Sequence, residues 1–269
     1  DANGCIASDS MVIDVLTVDI TQNDTTICEG DSLVLAAGPF SGSLNNGLVA
    51  YYPFNGNAND ESGNENHGIS SFTTATNNRF GVPNSAFNFN GVELGNGSTI
   101  EINHSLFNIG QNEYTIHFWF RPDDLTQTTK TFFNTIPHTG LAMTFNNNNS
   151  PGYTSYLLGP ANAMWDYYYI HGSFNSFQTT DWYSLALVKQ GTTFYKYING
   201  VLENTFSAPS SASYDYDVQL RISGISSDVQ IFHGDIDDFG IWSKALTSQD
   251  IQQLYSGSQN YTYNWSPGG

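Results

Sequence analysis

The stretch DWYSLALVKQGTTFYKYINGVLENTF, from Asp181 to Phe206, leaves its backbone little choice. Strand-forming residues are broken twice by short turn signals, Gln190-Gly191 and Asn199-Gly200. Asn-Gly suits a two-residue type I′ turn, because both central residues there need positive φ. Three strands joined in this way pair antiparallel with their sequence neighbours. EYTIHFWFRP alternates Ile116, Phe118 and Phe120 against His117, Trp119 and Arg121, and Pro122 ends the strand. GLVAYYPF supplies an earlier strand and GDIDDFGIW a last one. The 18 Phe, 16 Tyr and 5 Trp, spaced by Gly, Asn, Ser and Thr, have the texture of many short strands joined by turns. One regular helix is expected, in SKALTSQDIQQLYSG, where Thr247 three residues before Asp250 is a capping signal and Ile251, Leu254 and Tyr255 share a face. The expected architecture is an all-β sandwich of two antiparallel sheets with a short helix near its C-terminal end.

Charge narrows the partners. Seven Lys and Arg against 25 Asp and Glu give a formal charge of −18, and such a field repels nucleic acid and anionic membrane surfaces. Divalent cations and neutral ligands remain as partners. No apolar run approaches the roughly 20 residues of a membrane helix, and no membrane insertion is expected. Asp1 begins in a strand pattern with no signal-peptide features, so any secretion signal is expected outside this stretch. No H-E-x-x-H, G-x-S-x-G or phosphate-loop pattern occurs, and the six histidines are scattered.

The nine residues DESGNENHG, Asp60 to Gly68, contain no apolar side chain. A solvated loop, a metal-binding loop and a catalytic carboxylate cluster are all compatible with them. Cys5 and Cys28 lie outside the aromatic-rich centre, match no zinc spacing and are compatible with an oxidising compartment. Two unrelated small residues packed in strands are the alternative.

Two resemblances organise these pieces. TICEGDS, YTYNWSPGG and DANGC with its SDS resemble strands of the immunoglobulin-like repeats in giant surface adhesins of Bacteroidetes-type bacteria. On that likeness residues 1–22 close one repeat, 23–44 open the next and 258–269 continue it, with 45–257 inserted between the flexible junctions FSGSLNNG and YSGSQN. The likeness implies that Cys28 pairs beyond Gly269 and Cys5 before Asp1. A Cys5–Cys28 link is the outcome to expect only if the chain completes the partial sandwich by itself. Three D-[ST]-x triplets in the flanks, DSM, DTT and DSL, resemble the O-glycosylation signal of such bacteria.

LVAYYPFNGNANDESGNENHG, YTIHFWFRP, DWYSLALVKQGTTFYKYINGVLENT and GDIDDFGIWSKALTSQDIQQLY resemble, in order, laminin-G-like domains with the concanavalin A-like jelly roll. This second likeness implies a structural calcium between the first long loop and the last strand. Its carboxylate ligands would be Asp60 and Asp237 or Asp238, with Ser62, Asn66 and the His67 carbonyl as neutral oxygens, a donor mix that suits calcium. The acids of DIDD stand in an otherwise apolar strand, where an uncompensated carboxylate is costly.

Jelly-roll glycosidases of the laminarinase type carry E-x-D-x-x-E on one strand, and that spacing is absent here, so catalysis is not expected. For glycan binding the candidates are Trp165, Tyr167 and Tyr169, which alternate onto one face if MWDYYYIHGSF is a strand, with Asn147 and Asn148 from the preceding Asn run. The function expected is a non-catalytic, extracellular adhesion module that binds a glycan or surface polysaccharide beside neighbouring repeats of the same long chain. The alternatives are a structural spacer without a ligand and a remnant glycosidase-like domain.

Overall fold

The computed structural model describes residues 40, 42–93, 95–108, 113–125, 129–136, 141–145, 153–158, 168–174, 177–207, 217–225 and 229–256. Most of the segments 1–22 and 23–44, all of 258–269, and both cysteines fall outside them. In chain order the strands are β1 (Leu48–Tyr52), β2 (Ile69–Ser71), β3 (Thr74–Thr76), β4 (Ala86–Asn90), β5 (Thr99–Asn108), β6 (Glu113–Pro122), β7 (Lys130–Ile136) and β8 (Leu141–Phe145). They continue with β9 (Tyr153–Leu158), β10 (Tyr168–Phe174), β11 (Tyr183–Gln190), β12 (Thr193–Ile198), β13 (Val201–Ser207), β14 (Asp217–Ile222) and β15 (His233–Trp242), before the helix α1 (Ser248–Ser256).

These strands form an antiparallel two-sheet sandwich. One sheet of eight strands runs β13-β12-β11-β6-β15-β4-β3, with β1 sharing the β4 side of β15. The other, of seven strands, runs β10-β9-β8-β7-β14-β5-β2. The Asn199-Gly200 turn forms as expected, with positive φ at both residues and Ile198 paired to Val201. At the preceding hairpin the sequence reading is one residue out. Gln190 pairs with Thr193, so the loop is Gly191-Thr192, with the positive φ on Gly191. A glycine at the first central position is the requirement of a type II′ turn, which Gln190 could not meet.

Phe87, Phe89, Phe118, Phe120, Phe132, Phe133 and Phe239 interlock between the sheets, all buried. The outward face of the eight-stranded sheet is divided. Ala186, Val188, Tyr197 and Trp242 at one end are covered by Leu246, Ile251 and Leu254 of the α1 region and by Leu44. Thr247 and Asp250 form the helix cap, the Asp250 amide donating to Thr247 Oγ1 and the Thr247 amide to Asp250 Oδ2.

The ingoing and outgoing segments of the sandwich meet. Leu48 opposes Trp242, the Ser243 amide donates to the Gly47 carbonyl, Trp242 Nε1 to the Leu44 carbonyl at 2.7 Å, and Ser43 Oγ to Asp250. Phe40 packs against Tyr51 and Trp242 as well. The packed unit therefore takes in residues ahead of Asn45. Among the described residues no helix is long and apolar enough to cross a membrane.

Candidate functional site

The acidic loop closes a sheet edge. Among the described residues β1 has a strand neighbour on one side only, and exposed edges of this kind invite unwanted pairing. The loop supplies the missing partners. The Glu61 amide donates to the Tyr51 carbonyl, Asn66 Nδ2 to the Val49 carbonyl at 2.9 Å, and Asn64 Nδ2 to the Leu48 carbonyl at 3.0 Å. Asp60 is the hinge of the arrangement. Its Oδ1 accepts the amides of Tyr51 and Ser62, and its Oδ2 accepts Ser62 Oγ and the Asn66 amide. His67 Nδ1 accepts the Asp60 amide, which puts a neutral ring's proton on Nε2. The Asn66 carbonyl accepts the Tyr52 hydroxyl, which burial, reinforced by the Asp60 charge, holds well above its usual pKa.

A second cluster lies on β15. Its register against β6 slips between Asp237, opposite Trp119, and Gly240, opposite His117, and Asp238 has φ of 47°. This β-bulge lets consecutive carboxylates serve one partner. Arg79 Nη1 lies 2.6 Å from Asp237 Oδ2 and Arg79 Nη2 lies 2.6 Å from Asp238 Oδ2. The guanidinium also lies 4.5 Å from the Trp119 ring centroid, a cation–π contact, and Trp119 stacks on Tyr255. The Arg79 side chain is only 5% exposed. Burial pushes the Asp237 carboxyl well up from its ordinary pKa, the Asp238 charge adds to this, and Arg79 opposes both. The Tyr51 hydroxyl donates to Asp238 Oδ1 while its amide donates to Asp60, so Tyr51 joins the two clusters.

The calcium implied by resemblance can be tested on these donors. Calcium takes about six to eight oxygens at roughly 2.3–2.6 Å. Both Asp60 oxygens already face two hydrogen-bond donors each, and Asp237 and Asp238 close on a guanidinium. Donor hydrogens and a fixed cation stand where an ion would need bare oxygen. Among the described residues no three His, Cys, Asp or Glu side chains are grouped so that they could hold a metal ion. As arranged, Asp60, Ser62, Asn66, His67, Asp237 and Asp238 do not fit a shared divalent ion.

The third cluster is one the sequence reading did not single out. Asn88, Asp235 and Arg121 are register neighbours on β4, β15 and β6, beyond the part of the sheet that α1 covers. Arg121 Nε donates to Asp235 Oδ2 at 2.9 Å, and Nη2 reaches the same oxygen at 2.5 Å. Asn88 Nδ2 donates to Asp235 Oδ1 at 2.8 Å and to Asp123 Oδ2 at 3.0 Å. The guanidinium carbon lies 5.3 Å from the Trp182 ring centroid. Asp235 is buried, but the Arg121 side chain is 31% exposed, and Asn88, Trp182 and Asp123 also reach solvent. The available signal was the Arg121 position in the alternation of EYTIHFWFRP. Of the expected aromatic platform, Trp165, Tyr167, Asn147 and Asn148 lie outside the described residues. Tyr169 lies in β10, paired with Leu157 of β9.

Two antiparallel sheets packed around an aromatic core define a β-sandwich of the jelly-roll kind. The chain belongs to the concanavalin A-like lectin/glucanases superfamily, whose sequence model matches residues 94–252. No curated protein matches the sequence. Among solved structures, domain 4 of the extracellular GH43 arabinanase AbnA from Geobacillus stearothermophilus, in complex with arabinotriose, is 23% identical. It superposes with a TM-score of 0.60 over 78% of this chain and 98% of that one. The binding domain of botulinum neurotoxin DC in complex with SialylT is 15% identical, with a TM-score of 0.62 over 81% of this chain and 53% of that one. The same binding domain in complex with rat synaptotagmin II is 17% identical, with a TM-score of 0.64 over 81% and 53%. The chain spans about half the length of the neurotoxin binding domains it matches, and 52% of the chain in the mutant HCR/D structure. At these identities the likeness is one of fold.

Proposed function

We propose that this domain is a non-catalytic glycan-binding module of an extracellular adhesin. The observation that carries the reading is the half-open Asn88, Asp235, Arg121 and Trp182 cluster. Asp235 fixes the Arg121 fork beside an aromatic side chain, and Asn88 and Asp123 add amide and carboxylate groups of the kind that bind sugar hydroxyls. A cluster whose members are already held in place loses little entropy on binding. The superfamily and the arabinotriose and SialylT complexes of its structural neighbours support a carbohydrate as the ligand. Trp165, Tyr167, Tyr169, Asn147 and Asn148 are proposed as a second contact surface. The juxtaposed ingoing and outgoing segments support an insertion displayed at the side of a stalk of immunoglobulin-like repeats.

A glycan array probed with the full chain tests the proposal, with Arg121→Ala and Trp182→Ala as controls. Binding to at least one glycan class, lost in both variants, is the expected result. Binding lost only on Trp165→Ala or Tyr167→Ala moves the site to the second surface. No binding to any glycan leaves the spacer reading.

A further inference from the structure

We propose that Arg79 is the structural cation of this domain, doing with a guanidinium what the family resemblance would assign to calcium, so that the fold is independent of divalent metal. The bulge at Asp237 and Asp238 brings together two carboxylates that an unbroken strand would direct to opposite faces. Two converging carboxylates in an apolar setting need positive charge, and Arg79 supplies it with one Nη group to each acid.

The rest of the cluster suits a guanidinium. The guanidinium carbon lies 4.5 Å from the ring centroids of both Trp119 and Phe80, contacts that suit a weakly hydrated guanidinium better than a strongly hydrated metal ion. Asn78 builds the turn that delivers Arg79: its Oδ1 accepts the amides of Phe80 and Val82, and its carbonyl accepts the Gly81 amide. Arg79 Nε and Trp119 Nε1 are buried without a hydrogen-bond partner among the described residues, so the two ion pairs and the aromatic contacts hold the group. The acidic loop is tied to this centre through Tyr51, which spans Asp60 and Asp238, rather than through an ion held in common.

The test is thermal unfolding of the full chain with a chelator and with added calcium, alongside metal analysis of the purified protein. The melting temperature of the wild type is expected to be unchanged by either addition. Arg79→Gln, which leaves two uncompensated carboxylates facing each other, is expected to lower it by about 10 °C. Arg79→Gln with Asp237→Asn should regain part of that loss, because one stranded charge is gone. If Arg79→Gln does not fold, Arg79→Lys keeps the charge but loses the planar fork, and is expected to melt at an intermediate temperature. Stoichiometric calcium in the wild type, together with a fall in melting temperature on chelation, would overturn the proposal. So would an unchanged melting temperature in Arg79→Gln.

Discussion

Asp235 and Asp237 stand two residues apart on β15, each is paired with an arginine, and each arginine lies beside a tryptophan. The chemistry is the same and the settings are opposite. Arg121 holds Asp235 with nearly a third of its side chain in water, whereas Arg79 is sealed between the bulge acids and Trp119. Burial decides what an ion pair can do. A pair open at its arginine keeps that group available to a ligand, while breaking a pair sealed at both ends strands charge in an apolar setting with no water to compensate.

A double-mutant cycle at each pair would sharpen this contrast, and the largest effect is expected at the buried one. Removing Arg79 alone should cost about 3–5 kcal/mol, with substantial coupling to Asp237 in denaturant unfolding. Equal costs at the two pairs would break the comparison. Asp60→Ala comes next. It takes an ionised acceptor from three backbone amides and one hydroxyl, and a loss of about 2–3 kcal/mol is expected, read from the same unfolding curves.

The pH response is a third point of entry, through His117, which lies on β6 two residues before Trp119. It is fully buried against Ser184, and burial, with the Arg79 charge second, lowers its pKa from 6.5 to about 3. The unfolded chain therefore binds a proton between those values and the folded chain does not. Stability from this group is complete above pH 6.5 and declines toward pH 3, by up to about 1.4 kcal/mol per pH unit. His117→Asn should flatten the slope of unfolding free energy between pH 6.5 and 4, and an unchanged slope would show that the ring is charged in the fold. Arg121→Ala is expected to cost less stability than loss of Arg79, because the guanidinium is partly in water and the buried Asp235 keeps its bond from Asn88, and to abolish the glycan binding proposed for this cluster.

Much of the fold was legible because its signals are local. Alternation placed Ile116, Phe118 and Phe120 inside, the Asn199-Gly200 pair named its own turn, and Thr247 with Asp250 marked the helix start. What escaped depends on partners distant in sequence. Arg79 and Asp237 are 158 residues apart, and nothing near Arg79 announces that it will meet two acids. Lys196, on the inward face with Phe194, crosses the sandwich to Thr154, 42 residues away, and pairs with Glu203, a placement that hydropathy argues against. Carboxylates and amides serve an ion and a bare strand edge with the same atoms, so the sequence of the acidic loop is compatible with both uses. The bonds from the loop to β1 depend on β1 lying at the sheet edge, which local sequence does not reveal.

The pairing of the first strand with the last has a mechanical consequence. Leu48 faces Trp242 across an antiparallel ladder, so the chain arrives at and departs from the same end of it. Tension between residues 47 and 243 would fall on that ladder one hydrogen bond at a time and peel it like a zipper, instead of loading all its bonds in shear. The contacts of Ser43, Leu44, Lys244 and Asp250 lie at the point where peeling would begin. Resistance to pulling is thus concentrated in a clasp outside the ladder. A load carried past the domain along a neighbouring stalk, with its two ends held side by side, would leave that clasp unstrained.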